Sequence, residues 1–279
     1  MGSFAFSSGL ESYLAHHKPS LSHPPHSTTT AISTTAGASF NDFLPLTISS
    51  LASTSLPYML AAYRHPENIA TLDNDLDAST PCTVARRASV AQGRALLGVW
   101  VRAFRGNYAP TDTLSDGSAD IKGSCNDDNN NNSNGNSNSD EGSSARRATS
   151  ALSTFSALLK TTPKHLNSTT KTSAVLGPNG HLAPLWGLVC ASLSLPLSQT
   201  AYIFLFNHAK AVLSAAVRAG VMGPYQAQGV LASQALRERI EGCVRREWDV
   251  QVEEAGQVVP VMDLWVGRHE LLYSRIFNS

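Results

Sequence analysis

The sequence predicts an all-α protein, a single helical-bundle domain with disordered low-complexity insertions. Three observations lead there. Apolar residues recur at three- and four-residue spacing in successive windows, as helices require. No alternating apolar–polar run of convincing length appears, and Pro and Gly fall where the helical windows stop and restart. No internal repeat accompanies them.

In chain order, Ser7-Ser8-Gly9 reads as a polar turn before a short helix in which Leu10, Tyr13 and Leu14 share a face. Residues 18–39, rich in His, Pro, Ser and Thr, read as a first insertion. Phe43, Leu44, Ile48 and Leu51 then mark a helix. Pro57 suits the first turn of the next one, where its missing N–H costs nothing. Tyr58 to Arg64 and Glu67 to Asp77 read as short helices divided at His65-Pro66.

Ser79 or Thr80 is the expected cap of the following helix, with Pro81 at its first position. Val84, Ala88, Ala91 and Ala95 form a small-residue stripe on it, and Val90, Leu97, Val101 and Phe104 a bulkier one. Two stripes predict neighbours on two sides. Asp, Asn, Ser and Gly dominate a second insertion at about 106–146, which cannot bury enough apolar surface to offset its backbone entropy. A helix with Leu152, Phe155, Leu158 and Leu159 on one face follows, then a third polar stretch at 161–175.

The longest apolar segment, Gly180 to Arg218, reads as two helices broken at Leu195-Pro196, the second forming the centre of the bundle. It carries Asn207, His208, Lys210, Ser214 and Arg218, groups that are costly in a bilayer, so a membrane span is not expected. Gly223 ends this helix and Pro224 restarts the chain. Ile240, Val244 and Trp248 are the packing positions of a charged helix beyond it. In the stretch from Met262 to Phe277, Leu264, Leu271, Leu272 and Ile276 are expected to dock while Arg268, His269, Glu270 and Arg275 stay polar.

Composition narrows function by exclusion. Lys plus Arg and Asp plus Glu both number 21 in 279 residues, so no charge excess points to nucleic acid or to a basic partner. The four cysteines form no CxxC pair, which leaves reduced thiols of a cytoplasmic protein as the expectation. The N-terminus lacks the basic and apolar regions of a secretory signal. The sequons at Asn131 and Asn167 therefore carry no consequence. Neither a GxxxxGK[ST] loop, a GxGxxG turn nor a GxSxG elbow occurs.

Metal chemistry has weak candidates in His16, His17, His23 and His26, which bracket a Pro/Ser/Thr-rich segment without rigid support. His208, inside a helix, reads as a hydrogen-bonded core or interface group, and His269-Glu270 lacks the second histidine of HExxH. Asn207, Lys210, Ser214 and Arg218 form a narrow polar seam on the central helix. The seam is either solvated surface or the wall of an interface or water-filled passage, because a buried unpaired charge is costly. Arg86, Arg87 and Arg94 are either solvated or paired with Glu11 or Asp77.

Five stretches read together add a resemblance. SFAFSSGLESYL, LDASTPCTVARRASVAQGRALL, GPNGHLAPLWGLVCASL, NHAKAVLSAAVRAGVMGPYQAQ and HELLYSRIFNS resemble, in order, the urease accessory protein F family. The resemblance covers most of the chain outside the insertions. It implies a non-enzymatic, all-α, homodimeric factor that binds accessory protein D or H, recruits the accessory GTPase G and helps deliver nickel to apo-urease. No cofactor is bound tightly on this reading, and nickel is handled transiently by the complex. Ser8, Gly9 and Glu11 would meet the GTPase. Arg86, Ser89, Gln92 and Gly93, with the seam and Gln226, would line the dimer interface or a nickel passage. Arg268, His269, Glu270, Leu272, Arg275, Ile276, Phe277 and Ser279 would bind the D/H partner and become ordered there, with Leu271 as a further apolar anchor.

The sequence departs from the family pattern twice. Members carry a segment ahead of the SFAFSSGLE stretch, so a shortened N-terminus is expected, and Phe6 stands where many carry His. A stand-alone helical nickel carrier is the alternative reading, motivated by the N-terminal histidines. An α-helical hydrolase, resting on scattered Ser and His, ranks third because it needs a pocket that brings such groups together.

Overall fold

A computed structural model describes residues 6–16, 29–108, 138–161 and 177–278 of the chain. Among the described residues all regular structure is helical. The helices are α1 (Leu10–His16), α2 (Thr29–Arg64), α3 (Ile69–Ser79), α4 (Thr83–Val99), α5 (Arg105–Tyr108), α6 (Asn138–Thr161), α7 (Leu182–Ser192), α8 (Leu197–Arg218), α9 (Pro224–Leu231), α10 (Gln234–Glu247) and α11 (Val261–Arg268). A wider helical turn, Trp100–Phe104, joins α4 to α5 and buries Trp100, whose indole N–H donates to Ser192 Oγ at 3.1 Å.

The core lies where α2 meets α7, α8 and α10. Ile48, Ala52, Leu56, Met59 and Leu60 of α2 are buried against Leu185 and Leu188 of α7 and Phe204, Leu205, Val212 and Leu213 of α8. α4 and α6 cover the other side of α7. Among the described residues α8 is the one helix long and apolar enough to cross a membrane by length and composition, and half of its apolar window is buried inside the chain.

Local chemistry explains several boundaries. The chain breaks at Leu195-Pro196, between α7 and α8, as expected. Gly223 and Pro224 start α9, the proline at a position where no amide partner is lost. Ser233 caps α10, its hydroxyl accepting from the Leu236 amide at 3.2 Å.

Other boundaries differ from the expectation. Pro57 does not begin a helix; α2 runs through both Pro45 and Pro57. Burial of Ala52, Leu56, Met59 and Leu60 on either side of Pro57 outweighs the lost backbone bond. The Ser53 and Thr54 hydroxyls donate to the Ser50 carbonyl in the turn ahead, a pattern found where helices bend. Ser79 and Thr80 do not cap α4. Both hydroxyls donate to Leu76 O and close α3 instead. On α4 the alanine stripe is only half used: Val84 and Ala88 are buried, Ala91 and Ala95 exposed.

The insertion boundaries drawn from composition also cut into helices. Residues 29–39 belong to α2, 106–108 to α5, 138–146 to α6, and Thr161 ends α6. The remaining residues of these stretches lie outside the described ones, as do Cys125, Asn131, Asn167 and Ser279. On α6, Leu152 and Phe155 are buried and Leu159 half-buried, while Leu158 faces out.

The C-terminal stretch departs furthest. The helical period ends at Arg268, and the chain then takes a tight turn over His269–Leu271 and an irregular path. His269 and Phe277 become the buried residues, whereas Leu264, Leu271 and Ile276 are exposed at 63%, 79% and 65%.

Candidate functional site

Two constellations organise the face formed by α1, α3, α4, the start of α7 and the tail. The first is a latch at the N-terminus of α7. This helix begins with His181 as its N-cap and no side-chain cap of its own, so its leading amides need acceptors from elsewhere. Asp73 of α3, fully buried, supplies them. Its carboxylate accepts from the amides of Asn179 (2.5 Å), Gly180 (3.0 Å) and His181 (2.6 Å). The Leu182 amide donates to Ser89 Oγ at 3.3 Å.

The fully buried His181 ring bridges the same elements. Its Nδ1 lies 3.0 Å from Ser89 Oγ and its Nε2 3.0 Å from Asp77 Oδ1. Arg86 sits 3.6 Å from Asp77 and donates to the Thr80 carbonyl through Nε and Nη2, tying α4 to the end of α3. Gly93 permits the closeness: a Cβ there would run into the Gly180 carbonyl and the backbone of His181 and Leu182. Arg94 donates to Asn179 O at 2.7 Å.

Ser89, His181 and Asp77 thus form the hydroxyl–imidazole–carboxylate chain that a hydrolase would need. The imidazole is sealed from solvent, and Ser89 Oγ already receives the Leu182 amide, so the arrangement pins α7 to α3 and α4. Two open grooves lie elsewhere, between α8 and α10, lined by Tyr202, Ile203, Val244, Arg245 and Trp248 among others.

The second constellation is a clasp between the two ends of the chain. Ser8 (φ 53°) and Gly9 (φ 83°) form a left-handed turn, with the Leu10 amide donating to Ser7 O at 3.1 Å. Gly9 is required twice, by its positive φ and by space: a Cβ would lie 3.1 Å from both the backbone N and the Cγ2 of Val266 on α11. Tyr13 of α1 packs edge-on to Trp265 of α11, centroids 4.6 Å apart, and against Phe43 of α2 at 4.9 Å.

Glu11 then grips the tail. Its Oε1 accepts from the Ile276 amide at 2.7 Å and its Oε2 from the Phe277 amide at 3.2 Å. His269 Nε2 lies 2.9 Å from the Phe277 carbonyl oxygen, and Nδ1 lies 3.8 Å from Glu11 Oε2. The Arg218 guanidinium stacks over the Phe277 ring at 4.5 Å. Arg87 of α4 pairs with Glu270 at 2.5 Å and, by hydrogen bond and charge, holds the Glu270 carboxyl below its ordinary pKa.

The structure therefore brings together groups the sequence had assigned to different surfaces. Glu11 meets His269, Ile276 and Phe277, Gly9 lies against Val266 of α11, and Arg218 joins them from the seam over Phe277. Arg86, Ser89 and Gly93 meet at the latch, within the chain; Gln92 is half-buried on the same helix. Asn207, Lys210 and Gln226 are exposed and Ser214 half-buried, so most of the seam lies on the surface of this chain. Arg268 and Arg275 are exposed and Leu272 is half-buried.

His208 is the hydrogen-bonded group expected. Its Nε2 lies 3.0 Å from Thr47 Oγ1, and burial pushes its pKa down to about 4 against the opposing Thr47 contact. Among the described residues no cluster of three or more His, Cys, Asp or Glu could hold a metal ion. His16 is exposed, its Nδ1 lying 2.7 Å from Ser12 O; His17, His23 and His26 lie outside the described residues.

Sequence reasoning missed Asp73 and His181, and named Asp77 only as an ion-pair partner of the α4 arginines, a role it takes with Arg86. The usable signal was the Pro178-Asn179-Gly180 turn leading into an apolar helix with no Ser, Thr, Asp or Asn at its cap, a helix start that must borrow its acceptors.

Known proteins agree on a family. The UreF family model matches residues 34–235. A Schizosaccharomyces pombe protein, described as an uncharacterized UreF-like urease accessory protein, is 30% identical over 279 residues, covering 100% of this chain and 92% of its own. Urease accessory protein 6 of Cryptococcus neoformans var. grubii is 31% identical over 123 residues, spanning 36% of this chain and 39% of that protein. Urease accessory protein F of Oryza sativa is 36% identical over 97 residues, 35% of this chain and 36% of the rice protein. With a family match over most of its length and a full-length relative, this all-α chain belongs to the UreF family of urease accessory proteins.

Proposed function

We propose that the chain is a non-catalytic scaffold in urease maturation. It acts in the cytoplasm as a homodimer, joins accessory protein D or H, and regulates the accessory GTPase G in a complex that inserts nickel into apo-urease. Family membership supports the role in maturation. The observation that carries the scaffold reading is the clasp. Residues assigned to the GTPase-facing turn and residues assigned to the D/H-facing tail are one continuous surface, joined by Glu11 at 2.7 Å from the Ile276 amide. A protein with two partner surfaces in contact can hold both partners side by side.

The exposed apolar residues near that surface fit the same reading. Leu264, Leu271, Tyr273 and Ile276 offer anchors of the kind that dominate interface energy. Nickel is cargo on this reading, handled by the assembly and not resident in this chain.

The test is rescue of urease activity in a strain lacking this factor, with co-purification of the D/H protein and the GTPase. Wild type restores both. Leu271→Asp with Ile276→Asp, two exposed positions, should abolish association and rescue while leaving the helical signal intact. Full rescue by that variant, or wild type that captures neither partner, refutes the scaffold.

A further inference from the structure

His269 is fully buried, and its Nδ1 has no hydrogen-bond partner among the described residues. Its other nitrogen fixes what that means. Nε2 lies 2.9 Å from the Phe277 carbonyl oxygen, which can only accept, so Nε2 carries the hydrogen. In the neutral ring Nδ1 is then a bare lone pair. It lies 3.8 Å from Glu11 Oε2, an anion equally unable to donate. Two acceptors facing each other in a buried site repel, and an unmade hydrogen bond there is costly.

A proton on Nδ1 reverses the sign. The ring becomes a double donor, to Phe277 O on one side and toward the Glu11 carboxylate on the other, and the contact becomes charge-assisted. Glu11 also holds the amides of Ile276 and Phe277, so it is the shared partner of the ring and the tail. Of the other charged groups of the clasp, Glu270 adds only a weaker attraction to the ring, smaller than its pull on Arg87. Glu270 is engaged by Arg87 of α4, Arg218 of α8 lies over the Phe277 ring, and Arg268 and Arg275 are exposed cations of α11 and the tail.

We propose that His269 is a proton-operated lock on the C-terminal tail. Protonated, it completes the Glu11 clasp and holds residues 269–277 against α1. Neutral, it leaves a lone pair against the carboxylate and loosens the tail. The tail is therefore held more firmly when the ring carries the second proton than when it does not. Access to the exposed apolar residues beside it changes with the same proton.

The experiment uses the full chain with ¹⁵N-labelled histidine. Long-range ¹H–¹⁵N correlations report the protonation state of His269, and hydrogen exchange reports protection of the Ile276 and Phe277 amides. As the pH is raised and the ring passes from imidazolium to the Nε2–H tautomer, protection at both amides should fall roughly tenfold, the scale of one charge-assisted hydrogen bond. His269→Gln keeps a donor for Phe277 O but has no exchangeable charge, so its protection should be flat with pH. Glu11→Gln should lower protection and remove the pH dependence. A wild-type ring that stays neutral throughout, a neutral Nδ1–H tautomer, or amide protection unchanged by pH overturns the proposal. The wild-type titration decides the matter even where Glu11→Gln fails to fold.

Discussion

Asp73→Ala tests whether the latch holds α7 in place. The native carboxylate is fully buried and receives three consecutive backbone amides, from Asn179, Gly180 and His181. Alanine removes every acceptor and leaves those amides in a space water reaches poorly. Each buried donor left unpaired costs about 1–3 kcal/mol. Partial relaxation of the loop brings the total to roughly 3–5 kcal/mol, at the high end for single substitutions. For a chain of this size about 1 kcal/mol corresponds to a shift of ~2–4 °C, so the melting temperature should fall by roughly 6–20 °C. Asp73→Asn, which keeps one carbonyl oxygen, should fall about halfway. Thermal unfolding followed by circular dichroism at 222 nm reads both. A loss below about 2 °C for the alanine variant would mean that the amides have other acceptors and that the latch is ornamental.

Three further outcomes follow from the structure. Gly93→Ala should destabilise the fold by about 2–4 kcal/mol in chemical denaturation, because its Cβ meets rigid backbone at Gly180 and His181 and not a flexible side chain. His208, whose pKa burial lowers to about 4, binds a proton in the unfolded chain before it does so in the fold. Its contribution is therefore complete above about pH 6.5 and is lost as pH falls from there toward 4, roughly 3 kcal/mol. His208→Gln should flatten that limb of the stability–pH curve. Cys190, its thiol pushed up to about 11 by burial, should resist alkylation in the native state, whereas half-exposed Cys82 labels before it, as peptide mapping after brief iodoacetamide treatment would show.

What the sequence disclosed and what it concealed divide along the range of the interaction. The break at Leu195-Pro196 and the restart at Gly223-Pro224 were legible because the residues at each boundary cause it. Pro57 misled for the complementary reason: its local preference is real, but burial of α2 on both sides of it is contributed by α7 and α8, more than a hundred positions away. Ser79 and Thr80 were recognisable as capping residues, yet local pattern could not tell the start of α4 from the end of α3. The C-terminal stretch looked amphipathic only on the assumption that it stays helical. Once the backbone leaves the helix at Arg268, the four-residue period no longer decides which side chain is buried, and His269 takes a place expected for a leucine.

The candidate site was half legible for the same reason. Ser8, Gly9 and Glu11, and the tail from His269 to Phe277, stood out as separate short motifs. Their union did not, because Glu11 and Ile276 lie at opposite ends of the chain and each is ordinary in its own neighbourhood. The polar seam on α8 changes meaning in this light. Asn207 and Lys210 are simply exposed, while Arg218, one end of the seam, leaves it to stack on Phe277. Arg218→Ala separates the two roles. Removing a stacked, exposed guanidinium should cost the fold only about 0.5–1 kcal/mol, but it frees the ring that anchors the tail. Urease activation falling much further than thermal stability would place Arg218 with the clasp; a parallel loss of both, or of neither, would return it to ordinary surface.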